Sequence, residues 1–226
     1  MDQKDFSNII LVNKPLDWTS FDVVKKVRGL IKKKYSISKI KVGHSGTLDP
    51  KAEGLLVLCV GKKTKQIKLF ENLDKKYTGV MKIGCVTDSF DAETEEKKFK
   101  PYDEISEQDI KNVFAEFVGH KEQTPPIFSA IKVGGERLYK KARRGEFNTK
   151  IKSRKITIYG LKILDYNLPF IKFEVSCSKG TYIRSLVNDI GLKLFCGAYL
   201  WQLKRTEIGE FKLKNAKDIS DIESVL

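Results

Sequence analysis

Two short segments carry residue types able to do chemistry. The first is Gly43-His44-Ser45-Gly46-Thr47-Leu48-Asp49-Pro50. It sets a carboxylate among small polar residues, and Pro50 stiffens the backbone and biases Asp49 away from helical geometry. A carboxylate fixed on a rigid loop can act as nucleophile, base or metal ligand. On residue type alone, capping a turn is the commoner role for Asp before Pro. The second segment is Ser178-Lys179-Gly180-Thr181-Tyr182-Ile183-Arg184-Ser185. Gly180 leads into a helix whose first turn holds Tyr182 and Arg184. Backbone N–H groups at such a start favour an anion, while a cation there opposes the helix dipole. Arg184 is therefore expected to have a fixed acidic partner.

Other chemistries find little material. The histidines are His44 and His120, and the four cysteines (59, 85, 177, 196) form no C-x-x-C pair, which disfavours a zinc ribbon. The bland reading is four small buried thiols. His120 reads as a solvated cap after a helix. Gly61-Lys62-Lys63-Thr64 lacks the upstream glycine of a phosphate-binding loop, because position 56 is Leu.

The elements that position these segments follow from periodicity. Asn8–Asn13 reads as a buried strand. Thr19 or Ser20 caps a helix with Val23, Val24, Val27, Leu30 and Ile31 on one face. Lys39–Val42 reads as a strand, Gly43–Glu53 as an irregular loop, and Gly54–Gly61 as a central strand. A helix over Lys63–Leu73 and a strand over Lys75–Ile83 come next. The stretch 88–104 reads as loop, and Ser106-x-x-Asp109 opens a helix. Ser129–Val133 reads as a short strand, Gly134-Gly135 as a turn and Leu138–Arg144 as a short basic helix. Strands over Lys155–Tyr166 and Phe170–Cys177, a helix over Thr181–Phe195, a strand over Ala198–Thr206 and a terminal helix over Asp218–Leu226 complete the chain. Without regular β-α-β alternation, an α+β fold on a mixed sheet fits best. No internal repeat or long linker divides the chain, so one domain over 1–226 is expected.

The 226 residues carry a net charge of +14, which points to a polyanionic partner, nucleic acid first and an anionic membrane surface second. The charge is uneven. Lys25–Lys41 holds eight bases and no acid, and Lys132–Lys155 holds ten bases against Glu136 and Glu146. Asp88–Asp109 reverses the sign, with nine acids against three lysines. Blocks like these suggest a basic face, or solvated helix surfaces and loops. Only seven of the 43 basic residues are arginines, so each deserves scrutiny for forked hydrogen bonding. The longest apolar run, Leu55–Val60, is too short to span a bilayer, and no signal peptide is legible. No membrane association and a cytoplasmic location are expected.

The first segment, extended through Ala52, Gly54, Leu55 and Leu56, resembles the signature of the TruB family of tRNA pseudouridine-55 synthases. The resemblance continues at Asn13-Lys14-Pro15, Lys75-Lys76-Tyr77, Pro125-Pro126-x-x-Ser129-Ala130-x-Lys132, Cys177 to Arg184, Gly197-Ala198 and Leu203-Lys204-Arg205-Thr206. These blocks stand in the family's order over nearly the whole chain. The resemblance implies a bent, mainly antiparallel mixed sheet with flanking helices and a central RNA-binding cleft. It implies Asp49 as the catalytic aspartate, Tyr77 as the tyrosine stacking on the target base, and Arg184 as the arginine paired with the aspartate. It implies His44 at the disrupted RNA loop, and Tyr182 and Leu203 in the substrate pocket. About 126–154 matches a basic RNA-gripping thumb. Ser45 stands where threonine is common, and no C-terminal PUA domain is expected after Leu226.

The implied reaction moves uracil at tRNA position 55, in the T-loop, from an N1 to a C5 glycosidic bond, with no cofactor and no metal. The uridine must leave its stack, at a cost offset by aromatic stacking and phosphate contacts. Asp49 acts at the sugar, by attack at C1′ or along a route beginning at C2′. The partner implied is the tRNA T-arm, with no obligate protein partner and a monomeric enzyme. The rivals are a non-catalytic RNA-binding or chaperone protein, and an enzyme acting on another structured RNA.

Overall fold

A computed structural model describes residues 6–226. In chain order the elements are β1 (Ile9–Lys14), α1 (Ser20–Tyr35), β2 (Val42–Ser45), β3 (Ala52–Val60), α2 (Ile67–Glu71) and β4 (Lys75–Ile83). Next come α3 (Glu107–Phe117), β5 (Gly119–Gln123), β6 (Lys132–Val133), β7 (Glu136–Arg137), α4 (Leu138–Arg143), β8 (Arg154–Asn167) and β9 (Phe170–Cys177). The chain closes with α5 (Ile183–Lys193), β10 (Ala198–Ile208), β11 (Phe211–Lys212) and β12 (Lys217–Asp218). Residues up to Thr78 together with Leu203–Leu226 form one compact unit, and Gly79–Gln202 form a second.

The first unit is built around β3. Its sequence AEGLLVLCV is apolar on both faces because both faces are covered. Leu56, Leu58 and Val60 pack with Ile10, Val12 and the α1 residues Val23, Val24, Val27 and Ile31. Leu55 and Val57 point the other way, to Ile208. Truncating one of these leucines to alanine is expected to cost about 2–5 kcal/mol. β1 and β2 both pair antiparallel with β3, while β10 pairs with it in parallel. Thr19 caps α1, with a reciprocal bond between Thr19 and Asp22. Such a cap contributes about 0.5–2 kcal/mol, and Lys32, Lys33 and Lys34 complement the dipole at the other end.

The second unit rests on the antiparallel hairpin of β8 and β9, with β5 as an antiparallel edge beside β8. β9 alternates cleanly, burying Ile171, Phe173, Val175 and Cys177. Phe114 of α3 meets Phe173 edge to face, with centroids 6.4 Å apart, within the roughly 4.5–7 Å range of such pairs. Ser106 and Asp109 form the expected capping box at α3. The mixed, mainly antiparallel sheet pairing with separate helices agrees with the α+β expectation. All four cysteines are buried thiols outside any disulfide.

Several expected boundaries move. Gly43, His44 and Ser45 are strand, not loop, because they pair with Cys59, Leu58 and Val57 of β3. Tertiary pairing supplies what their weak strand propensity does not. The expected strand over Lys39–Val42 accordingly begins only at Val42. The expected helix over Lys63–Leu73 is divided into a 3-10 stretch, Gly61–Gln66, and the short α2. His120 sits on strand β5 rather than at a helix cap, exposed as expected. The terminal segment is a 3-10 helix, Ile219–Val225, rather than an α-helix.

Candidate active site

The loop between β2 and β3 is fixed from several sides. Ser20, the first residue of α1, clamps Leu48 twice: its hydroxyl accepts from the Leu48 N–H at 2.8 Å and donates to the Leu48 carbonyl at 3.0 Å. The next residue, Asp49, is half-buried, and its carbonyl accepts from the Ala52 N–H at 3.1 Å. The Pro50 carbonyl accepts from the Asp17 N–H at 2.9 Å. Leu48 thus anchors the loop in the core while Asp49 lies half-open beside it.

Two buried cations frame this loop. Arg205 of β10 is 1% exposed. Its Nε donates to the Leu55 carbonyl at 2.8 Å, its Nη2 to Gly46 at 3.1 Å and its Nη1 to Thr47 at 3.4 Å. The guanidinium therefore ties the loop carbonyls to the start of β3. Gly54 permits this approach: a Cβ there would lie 2.5 Å from the Arg205 carbonyl oxygen, and its φ is +104°. Lys14 is fully buried at the end of β1 and donates to the carbonyls of Pro15 and Trp18. Burial pushes its pKa down to about 8, opposed by the negative charges of Asp49 and Asp17.

His44 stands on β2, half-buried, and its Nδ1 has no hydrogen-bond partner among the described residues. Burial first, then the charge of Arg205, holds its imidazole below the usual histidine range, against a bond at Gly46 that favours the proton. It is therefore neutral near pH 7. Tyr77 lies on the buried side of β4, 8% exposed. Lys75, on the same side, donates to the Glu71 and Leu73 carbonyls. Leu203 of β10 pairs in register with Ala52 of β3, half-buried. His44, Asp49, Tyr77 and Leu203 thus all belong to the first unit.

Tyr182 and Arg184 belong to the second. The Tyr182 N–H donates to Gln123 Oε1 at 2.8 Å, and Gln123 Nε2 donates back to the Tyr182 carbonyl at 3.0 Å. The Arg154 guanidinium lies 5.0 Å from the centre of the Tyr182 ring. Arg184 is 5% exposed at the first turn of α5. Its Nη1 donates to Ser89 O at 3.0 Å and its Nη2 to Phe128 O at 2.9 Å, and its Nε lies 3.5 Å from Asp91 Oδ2. Asp91 Oδ1 in turn accepts from the Ser89 hydroxyl at 2.6 Å and the Glu93 N–H at 2.9 Å. The fixed acidic partner expected from the helix dipole is here, inside the acidic stretch that read as solvated loop.

Sequence reasoning passed over Arg205, Lys14, Ser20 and Asp91 as positioning groups. The scarcity of arginine was the signal available for Arg205. Asp91 carried no local signal, since nothing distinguishes it from the neighbouring acids.

Residues 32–183 match the TruB family pseudouridylate synthase N-terminal domain, and 184–226 match the tRNA pseudouridylate synthase B C-terminal domain. The chain belongs to the TruB family. It is 47% identical over 213 residues to the tRNA pseudouridine synthase B of Chlorobium chlorochromatii, covering 94% of this chain and 83% of that protein. Against the tRNA pseudouridine synthase B of Flavobacterium johnsoniae it is 47% identical over 219 residues, covering 96% and 95%. The fold is similar to a chain in the crystal structure of a Cbf5-Nop10-Gar1 complex, with a TM-score of 0.72 and 29% identity over 97% of this chain. It is also similar to one in an H/ACA RNP bound to a substrate RNA containing 2'-deoxyuridine, with a TM-score of 0.69 and 27% identity. This TruB-family chain spans only 54% and 53% of those two solved chains. The fold is that of the pseudouridine synthases, and the chain is an enzyme of that class.

Proposed function

We propose that the chain isomerises uridine to pseudouridine in tRNA, at position 55 of the T-loop, with Asp49 as the catalytic carboxylate. The reading of tRNA rests on relatives called tRNA pseudouridine synthase B that share 47% of their residues with nearly the whole chain. The choice of position 55 rests on the ordered motif resemblance.

The chemistry is an exchange of bonds within one nucleotide. The N1–C1′ bond breaks, a C5–C1′ bond forms, and the C5 hydrogen is replaced by one on N1. The target base must leave its stack for this, at a few kcal/mol. Tyr77 offers a face for the flipped base, and His44 offers a neutral imidazole with a free Nδ1 to the disturbed loop. Leu203, Tyr182 and Arg184 complete the substrate-binding set. Asp49 acts at the sugar through its carboxylate, and Lys14 supplies a nearby positive charge. The observation that carries this reading is the loop itself: a half-open carboxylate next to a doubly clamped Leu48, framed by Lys14 and Arg205. Such preorganisation is what a group reacting at one sugar atom requires.

Asp49→Asn tests it. Product from a tRNA transcript should fall at least a thousandfold while tRNA affinity stays within a few-fold. Turnover near the unmutated rate would remove Asp49 from the chemistry. Retained activity on a transcript lacking uridine 55 would move the target elsewhere.

A further inference from the structure

The second unit contains a groove of about 530 Å³ lined by three lysines and several hydroxyl and imidazole donors. We propose that this groove binds the phosphodiester backbone of the RNA substrate; the inference deepens the tRNA reading and rests on it. Lys121 comes from β5, Lys155 from β8, and Lys179 from the loop after β9. His120, Thr157 and Ser178 line the same groove.

The local pairing sets His120, Glu122, Lys155 and Thr157 on one face of the strand pair and Lys121 and Ile156 on the other, so the groove draws its lining from both sides of this edge. β5 and β8 run antiparallel, with His120 opposite Thr157, Lys121 opposite Ile156 and Glu122 opposite Lys155. The Thr157 carbonyl accepts from the Ser178 N–H at 2.8 Å, and the Thr157 N–H donates to the Ser178 hydroxyl at 2.9 Å. Those two bonds fasten the loop carrying Lys179 against β8. His120 Nδ1 lies 3.0 Å from Thr157 Oγ1.

Lysines on an edge strand commonly serve to block pairing with another sheet. That accounts for Lys121 on β5, but Lys155 lies on the inner neighbour and Lys179 lies in a loop. Glu122 is the single carboxylate in the lining, and it stands opposite Lys155 in the β5–β8 register. Three lysines against one glutamate leave the groove positive. Lysines without rigid forks suit a sequence-independent chain of phosphates rather than one tightly held anion. The groove also continues the basic block that begins at Lys132, since Lys155 is its last residue. Hydroxyl and imidazole donors beside the ammonium groups match the mixed donors that phosphate and ribose oxygens accept.

The test is the triple variant Lys121→Gln, Lys155→Gln, Lys179→Gln, compared with Lys172→Gln, Lys212→Gln, Lys214→Gln, which removes equal charge elsewhere. Binding of an unmodified tRNA transcript is measured from 50 to 200 mM KCl, with circular dichroism and thermal melting to verify folding. Two to three lost phosphate contacts should make the slope of log K against log salt shallower by about two to three units. The affinity lost across that salt range should then be roughly ten- to fortyfold smaller than in the unmutated protein. The control triple should show less than half that change. Equal slopes in a folded groove variant would overturn the inference. So would loss of polyglutamate binding with tRNA binding intact, which would make the groove a site for an acidic protein. Self-association of the variant with unchanged tRNA binding would reduce the lysines to edge protection and overturn it as well. Failure of the unmutated protein to bind the transcript would instead refute the tRNA reading itself.

Discussion

Arg205 in the first unit and Arg184 in the second are both almost fully buried, yet they are neutralised differently. Arg184 has a carboxylate, Asp91, as well as two carbonyls. Arg205 has carbonyls alone, and Lys14 likewise donates only to carbonyls. Among the described residues, neither Lys14 nor Arg205 has a carboxylate within ion-pair distance. Burying a cation is costly without a counter-charge. The first unit therefore holds its two buried cations on carbonyl oxygens around the loop that carries Asp49, with the charges of Asp49 and Asp17 acting on Lys14 from nearby, whereas in the second a carboxylate stands directly beside the buried guanidinium. A site built the first way favours an anionic substrate. A pair built the second way favours fixed geometry.

The largest effect should come from breaking the first arrangement. Arg205→Met leaves the buried Leu55 carbonyl and the partly buried Gly46 and Thr47 carbonyls without their donor, and the cost is expected to be about 3–5 kcal/mol. Chemical denaturation measures it. Arg205→Lys sharpens the comparison, since it keeps the charge and loses the fork. In that variant turnover should fall at least tenfold with tRNA affinity little changed, because the loop slackens while the electrostatics persist. Equal losses in both variants would show that charge is irrelevant to the arrangement.

Lys14 offers the next effect, read by pH. Its folded pKa of about 8 lies below the ordinary 10.5. Between these values the unfolded chain binds more protons, so the Lys14 contribution to stability rises with pH across that window. Below pH 8 the buried charge bears its full cost, about 3 kcal/mol. Lys14→Met should lack this pH dependence, as denaturation at pH 7 and pH 10 would show. Asp49 holds the Lys14 pKa up, so Asp49→Asn should move it further down, followed by NMR of labelled lysine. An unmoved Lys14 resonance would separate the two groups electrostatically.

In the second unit, Asp91→Asn should cost about 2–3 kcal/mol, at or below the lower end for a broken buried pair, because the amide oxygen can still accept from Ser89 and Glu93. Hydrogen exchange should rise through residues 88–94 and the first turn of α5. Protection equal to the unmutated protein would mean that the carbonyls of Ser89 and Phe128 suffice for Arg184.

The same contrast marks what was legible in the chain. α1 and α3 were readable because Thr19–Asp22 and Ser106–Asp109 declare their starts locally. β4 was readable to the residue because Lys75, Tyr77, Gly79, Met81 and Ile83 alternate strictly. β2 and β5 were not, since GHS and GHKEQ are strands only through partners far along the chain, as with Gly43 on Cys59 and Gln123 on Arg154. Asp49 stood out because a stiff loop announces itself, and the family motif then gave it a role. Its supporting cations did not, because Lys14 and Arg205 become site residues only when β1 and β10 are assembled beside β3.

The smallest effect on stability concerns the basic segment around α4. Arg143 pairs with Glu93 at 2.7 Å, and Arg144 with Glu136 at 2.7 Å and Glu146 at 3.0 Å. All three pairs are solvent-facing, so each contributes between zero and about 1 kcal/mol. Arg143→Ala with Arg144→Ala should leave the melting temperature nearly unchanged. In the buried site Lys14 and Arg205 hydrogen-bond to carbonyls, but here an incoming phosphate must displace a carboxylate. The variant removes two cations and simultaneously unmasks three glutamates. The slope of log K against log salt should become shallower by about one to two units, and affinity at low salt should fall through added repulsion. Restoring Glu93, Glu136 and Glu146 to neutrality with Gln in the double variant should recover part of the affinity without recovering the slope. An unchanged slope in the double variant would show that these arginines serve only their glutamates, making the three pairs purely structural.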